Sequence, residues 1–173
     1  LAKTIAAEPC LAERVLLTTE DTGAHVDHKN FLGFIVRQYP EEALHQATLI
    51  PIAALLAQTP STKTVIEEVT EQFFASDLDL FLDHYLQLTL QLHLRLWIRY
   101  GIALESNQQN SVLVLNKSKT PLSLLLKDND SSRIDYAYLA RRWPALASHI
   151  SHLQDQRIKV DGPLPLAQMF TTI

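Results

Sequence analysis

The chain has one cysteine in 173 residues. Cys10 therefore has no partner for an internal disulfide, and no thiolate set is present to complete a zinc pattern. Glycine is also scarce, at four residues, and the 47% hydrophobic and 20% charged content excludes a disordered or low-complexity chain. No internal repeat and no block of like charge occurs. The 15 basic and 19 acidic residues are scattered, with a net charge of −4, so the electrostatic footprint of a nucleic-acid or anionic-membrane binder is missing. Nothing near the amino terminus has the charged, apolar and small-residue order of a signal peptide, and a reducing cytoplasm is the expected location.

What is present is enough for a real core, since a domain of this length buries roughly 70% of the surface its unfolded form exposes. We expect one domain over residues 1–173, cut from a longer protein, because the chain starts at Leu1 rather than Met. Arg14–Thr19 and Phe31–Gln38 read as strands of one sheet, bounded by turn signals at Asp21-Thr-Gly23 and Tyr39-Pro40. Val65, Ile66, Val69, Phe73 and Phe74 recur at helical spacing, with Glu67, Glu68 and Glu71 outside them, giving an amphipathic helix between Thr62 and Phe74.

From Asp77 to Tyr100 leucines alternate strictly with polar residues from Leu86 to Leu96, which is a strand period. Length, leucine's helix propensity, a cap at Ser76 or Asp77 and the lack of internal Gly or Pro favour a helix instead. Alternation sets leucine all round such a helix and predicts deep burial. Gly101 ends it, as a residue able to take positive φ past a helix terminus. Helices are expected again over Tyr136–Arg142 and Ala145–Gln154, broken at Trp143-Pro144, and the Pro-rich tail from Val160 is left without an assignment. The fold class is α+β: a small sheet with a β-hairpin packed on a long buried helix and further helices.

The chemistry concentrates between Gly101 and Asp130. Ser111–Leu115 and Leu122–Leu126 are apolar runs around a turn-like Asn116–Pro121 segment, so they should pair as a hairpin centred near Ser118 and Lys119. That pairing brings Asn110 and Asp128 together at the open end, five residues after Glu105. Two carboxylates and an amide oxygen suit a hard cation such as Mg²⁺. Protein kinases hold their ATP-bridging metals with a comparable Asn and later Asp. Spacing alone implies metal-nucleotide binding, with a hairpin-end hydrogen-bond network as the plainer alternative.

The same residues carry a family resemblance. Gly101-Ile-Ala-Leu-Glu105, Gln109-Asn110 and, after the strand pair, Lys127-Asp128 resemble the hallmark block of the IucA/IucC-like synthetases, which make siderophores without a nonribosomal peptide synthetase. Phe31-Leu-Gly-Phe-Ile-Val-Arg37 and Ala47-Thr-Leu-Ile-Pro-Ile-Ala-Ala-Leu55 are similar to two further blocks in the same order. The resemblance spans about Val15 to Asp135. It implies a cupped-hand architecture of which this chain is most of the carboxyl-terminal palm.

It further implies ATP-dependent activation of a citrate-like carboxylate as an acyl adenylate, captured by an amine or hydroxylamine. Glu105, Asn110 and Asp128 would hold Mg²⁺, and Gln109, Lys127 and Arg37 would contact the nucleotide. Asn107 stands where the family has a substrate-binding His, and Lys127 where it has Arg, so the charge and the planar fork available for a carboxylate are reduced. Toward the carboxyl terminus, Leu166 and Thr172 stand where the family has basic residues.

The family implies polycarboxylate and amine partners, and a homodimer when full length. The isolated piece is expected to be inactive, because the family's phosphate loop lies amino-terminal to it. A catalytically silent relative is the alternative function, and a kinase-like phosphotransferase a third. His25 and His28, with His45, His84 and His93 elsewhere, lack the clustered third ligand of a transition-metal site, and Arg141-Arg142-Trp143 reads as a basic helix end beside a packed Trp.

Overall fold

The structure is a computed structural model that describes residues 1–27, 29–44, 47–116, 122–128 and 131–171, with backbone alone at 29–31, 42 and 44. Two short helices, α1 (Ala2–Ala6) and α2 (Pro9–Ala12), lead into strands β1 (Val15–Leu17), β2 (Thr19–Val26) and β3 (Lys29–Gln38). Helix α3 (Glu41–Leu44), strand β4 (Thr48–Pro51) and helices α4 (Val65–Phe73) and α5 (Leu78–Arg95) follow, and a π-helical turn, Leu96–Tyr100, extends α5 to Gly101. Next come β5 (Ile102–Ala103), β6 (Ser111–Leu115), β7 (Leu122–Leu126) and β8 (Arg133–Asp135). Helices α6 (Tyr136–Arg142) and α7 (Pro144–Ser148), strand β9 (Lys159–Val160) and helix α8 (Pro163–Phe170) complete the chain.

The expected hairpin forms in the expected register, Ser111 opposite Leu126 and Leu113 opposite Leu124, at the centre of a four-stranded sheet ordered β1-β7-β6-β4. Residues 117–121, its turn, lie outside the described residues. Strand β1 joins β7 in parallel and β4 joins β6 antiparallel. Every residue of β6 is buried, because both faces of the sheet are covered. Leu113, Leu115, Leu122, Leu124 and Leu126 pack with Leu88, Leu92 and Leu96 of the long helix in the main core. On the opposite face Val112, Val114 and Leu125 meet Leu16, Tyr39, Ala47 and Leu49. Burying one such side chain contributes roughly 1.5–3 kcal/mol, so this two-sided sheet is the stable platform from which the site projects.

Helix α5 starts where Asp77 accepts a hydrogen bond from the Leu80 N–H at 2.9 Å, and the chain leaves its π turn at Gly101, whose φ is +68°. Its last carbonyls are satisfied by side chains: the Tyr138 hydroxyl donates to Ile98 O at 2.7 Å and the Trp143 indole to Arg99 O at 3.0 Å. Helix α4 begins with a capping box between Thr64 and Glu67.

Four expectations need correction. The strands read at Arg14–Thr19 and Phe31–Gln38 do not share a sheet, because the chain breaks at Thr18 and its continuation, β2, pairs antiparallel with β3 as a separate ribbon. Gly23 lies inside that ribbon rather than in a turn; a Cβ there would sit 2.8 Å from Phe34 O, which only glycine avoids. Helix α5 is not buried all round. Phe81, Leu88 and Leu92 are sealed, while Leu86, Leu90 and Leu94 are 51%, 47% and 36% exposed.

The carboxyl-terminal region also differs. The helix expected to run to Gln154 stops at Ser148, and the unassigned tail forms α8, with Pro163 at its first position, where the missing N–H costs nothing. A three-stranded sheet, β5-β8-β9, places that end of the molecule beside the site. Among the described residues no helix is long and apolar enough to cross a membrane.

Candidate functional site

The segment after Gly101 is pinned from several sides. Ile102, Ala103 and Leu104 are buried, and the buried Ser106 hydroxyl lies 2.8 Å from His93 Nε2 on α5. The Ser111 hydroxyl donates to Ser106 O at 3.0 Å, and the Ala53 N–H donates to Gln108 O at 3.1 Å. Between these anchors Asn107 builds the turn: its Oδ1 accepts from the N–H groups of Gln109 and Asn110 at 3.0 and 3.1 Å. This is an Asx-type turn, which a His at that position could not make in the same way.

Asn110 then spans the two halves of the site. Its Nδ2 donates to Glu105 O at 3.2 Å, which leaves Oδ1 as the acceptor end of the amide, and its backbone carbonyl accepts from the Lys127 N–H at 3.0 Å. Asp128, the next residue, has φ +54°, a left-handed conformation that Asp tolerates better than most side chains. One of its carboxylate oxygens accepts from Arg37 Nη2.

Arg37 is shared between two acids. Its Nε donates to Glu20 of β2, whose same oxygen accepts from the Thr18 hydroxyl at 2.8 Å and from the Asp128 N–H at 3.1 Å. Burial pushes the Glu20 carboxyl up, but the donors from Arg37, the Asp128 backbone and Thr18 outweigh it and hold Glu20 below the usual carboxylate range. The bond to Glu20 in turn raises the Arg37 guanidinium above its ordinary value. Glu20 is the residue that sequence reasoning missed, since one acid in the polar run Thr19-Glu-Asp-Thr22 carries no distinguishing signal.

Glu105 points to a different recess. With Ser131, Arg133, Asp155, Arg157 and Ile158 it lines a polar cleft of about 260 Å³. Arg157 pairs with Asp155 at 2.7 Å, and that bond keeps the Asp155 carboxyl at about 2. The predicted site residues therefore fall into two linked groups. Asn107, Gln109, Asn110 and Glu105 occupy the turn and its cleft, while Lys127, Asp128 and Arg37 occupy the rim beyond β7, and the Asn110–Lys127 backbone bond joins the two. Among the described residues no group of three or more His, Cys, Asp or Glu could hold a metal ion, so any cation here would rely on the Asn110 amide as well as carboxylates. His28, His45, Asp130 and Thr172 lie outside the described residues.

A family model described as ferric iron reductase FhuF-like transporter matches residues 79–173. The chain is 30% identical over 121 residues to staphyloferrin A synthase of Staphylococcus aureus, a match covering 67% of this chain and 20% of that protein. Among solved structures it is similar to the petrobactin biosynthesis protein AsbB of Bacillus anthracis, with a TM-score of 0.64 at 19% identity over 97% of this chain and 30% of AsbB. It is also similar to the ATP-bound aerobactin synthetase IucA of Klebsiella pneumoniae, with a TM-score of 0.62 at 14% identity over 98% of this chain and 34% of IucA. The chain thus spans a fifth to a third of the length of these relatives.

Proposed function

The chain belongs to the FhuF-like family and carries the carboxyl-terminal part of the siderophore synthetases that act without a nonribosomal peptide synthetase, and from that membership we propose that it works as part of an ATP-dependent carboxylate–amine ligase. The activity belongs to the longer protein, in which a citrate-like carboxylate is activated as an acyl adenylate and captured by an amine or hydroxylamine in the cytoplasm. The observation that carries the reading is the Asx turn that presents Asn110 beside Lys127 and Asp128 across the hairpin end.

The donor set fits Mg²⁺. Hard oxygen ligands are what that ion selects, and Asn110 has its Nδ2 committed to Glu105 O, which leaves Oδ1 as the acceptor end of the amide. Asn110 and Asp128 would hold the ion, which when bound neutralises triphosphate charge, whereas the sequence-expected third ligand Glu105 lines the separate cleft with Arg133 and Asp155 and reaches this edge only through its backbone carbonyl. Arg37 fixes the Asp128 carboxylate and competes with the cation for it. Lys127 and Gln109 flank the same edge and are suited to phosphate oxygens and the nucleotide. Asn107 spends its carbonyl oxygen on the turn, so only its amide NH₂ can meet the substrate carboxylate.

A second reading is a silent relative that binds nucleotide without turning over, since Asn107 offers a substrate carboxylate a neutral donor but no positive charge. The family description also names a reductase. The relatives that match along the chain are named as synthases and synthetases of siderophores, which favours ligase chemistry.

The test is calorimetric titration of ATP, with and without Mg²⁺, into the longer protein and its Asn110→Ala and Asp128→Asn variants, together with pyrophosphate and AMP assays. Asp128→Asn keeps a hydrogen-bond acceptor for Arg37 while removing the charge. We expect Mg²⁺-dependent ATP binding that both variants weaken, with loss of pyrophosphate release. Unchanged Mg²⁺ dependence in both variants refutes the metal assignment. Binding without release identifies the silent relative, and ADP as product identifies a kinase-like reaction.

A further inference from the structure

The polar cleft that receives the Glu105 side chain is built by the ends of three strands. Ala103, the last residue of β5, lies opposite Arg133, the first of β8, and Ile134 lies opposite Lys159, the first of β9. Glu105 therefore leaves the sheet at the end where Ser131 and Arg133 approach it, and residues 155–158 close the third side. That side is tied down by its own backbone, since Asp155 O accepts from the N–H groups of Ile158 and Lys159 at 3.1 Å. At about 260 Å³ the cleft is smaller than the ~300–1,000 Å³ of sites for drug-sized ligands, so it suits a molecule of few heavy atoms.

Its four charged groups are not equally available. Asp155 is spent on Arg157, accepting from the backbone N–H at 2.8 Å, from Nε at 3.1 Å and from Nη2 at 2.7 Å. Arg157 chiefly, with Arg133 adding to its field, holds the Asp155 carboxyl low, so Arg133 faces the same space. Glu105 is different: among the described residues its carboxylate has no hydrogen-bond donor and no ion-pair partner. Arg133 gives one hydrogen bond, from Nη1 to Ser131 O at 3.3 Å, and among the described residues the other donors of its fork have no acceptor. One carboxylate and one guanidinium thus line a single recess without an ion pair between them.

We propose that this cleft binds a small zwitterion, with its ammonium group on Glu105 and its carboxylate on Arg133. A dianion would be repelled by Glu105 and a diamine by Arg133, whereas a ligand with one charge of each sign satisfies both. The cleft adjoins the candidate nucleotide edge, because Asn110 Nδ2 is bonded to the backbone carbonyl of the same Glu105. On the ligase reading, on which this identification rests, the zwitterion is the amine substrate, and its class is the amino acids rather than the simple diamines.

Ligand-observed NMR titration of the longer protein without nucleotide tests the cleft apart from the ligase chemistry. The probes are glycine, β-alanine and γ-aminobutyrate, with propylamine and propionate as single-charge controls. At least one zwitterion should bind about tenfold or more tightly than both controls, and Glu105→Gln and Arg133→Gln should each weaken it by at least about tenfold in Kd without changing the far-UV circular dichroism. Arg133→Lys, which keeps the charge, should recover most of the binding. Zwitterions that bind no better than the controls, or equally well to both glutamine variants, overturn the proposal, and pyrophosphate release by the same protein then leaves the ligase reading standing. Loss of Mg²⁺-dependent ATP binding in Glu105→Gln also overturns it, since Glu105 is then a ligand of the ion. Zwitterion binding that depends on both residues, in a protein that releases no pyrophosphate, upholds the cleft and removes only its place in a ligase.

Discussion

His93 gives the sharpest test of how the site segment is held. Its ring is 4% exposed, it meets the Ser106 hydroxyl at 2.8 Å, and the Phe170 ring stands edge-on to it with centroids 6.4 Å apart. Burial disfavours the imidazolium and lowers the folded-state value from 6.5 to about 4. Between these two values the unfolded chain binds a proton that the folded chain refuses, so stability must fall as pH falls through that window. Each tenfold difference in proton affinity corresponds to ~1.4 kcal/mol, so the loss is ~2 kcal/mol at pH 5 and approaches ~3 kcal/mol near pH 4. Urea denaturation of the chain and of His93→Gln at several pH values from 7 to 4.5 checks this. Both proteins share the carboxylate titrations, so the difference between their stabilities should shrink by about 2 kcal/mol on acidification. Parallel curves would refute the argument and show that His93 is protonated in place.

Two further outcomes follow from local geometry. Gly101→Ala places a Cβ 3.0 Å from the Tyr138 ring at φ +68°, and thermal unfolding should show a loss of about 2 kcal/mol, with Gly101→Asn losing less. Glu8 is 1% exposed and joins Arg95, Arg99 and the Tyr100 hydroxyl, whose value its burial and the adjacent carboxylate push up to about 12. Glu8→Ala should therefore cost about 2 kcal/mol in urea, much of it from the orphaned hydroxyl, and Glu8→Gln less.

What could be read from the sequence was set by local chemistry. The hairpin register followed from two apolar runs of equal length, the start of α5 from Asp77 and its end from Gly101. The breadth of its buried face did not follow, because alternating leucine fixes neither which side meets the sheet nor how far round contact extends, and Leu86 and Leu88 ended on opposite sides. Strand β2 was hidden by its composition. Thr-Glu-Asp-Thr-Gly-Ala-His has little β preference, and pairing with β3 alone overrides that. The Pro-rich tail from Val160 was left without an assignment, although proline at a first helical position, as Pro163 proves to be, is a start signal. In the site, Asn110 and Asp128 were visible through the register, while Glu20 and the His93–Ser106 contact join residues distant in sequence and have no local trace.

The Arg37 bridge has a consequence for how the molecule communicates. It fastens the base of the projecting β2–β3 ribbon to the lip of the candidate metal site through Glu20 and Asp128. A cation recruiting Asp128 must loosen that fastening, and a body gripping the ribbon must alter the carboxylate offered to the cation. By linkage the two effects are equal in size. The ribbon would thereby be a handle on the ion, and the ion a release for the ribbon.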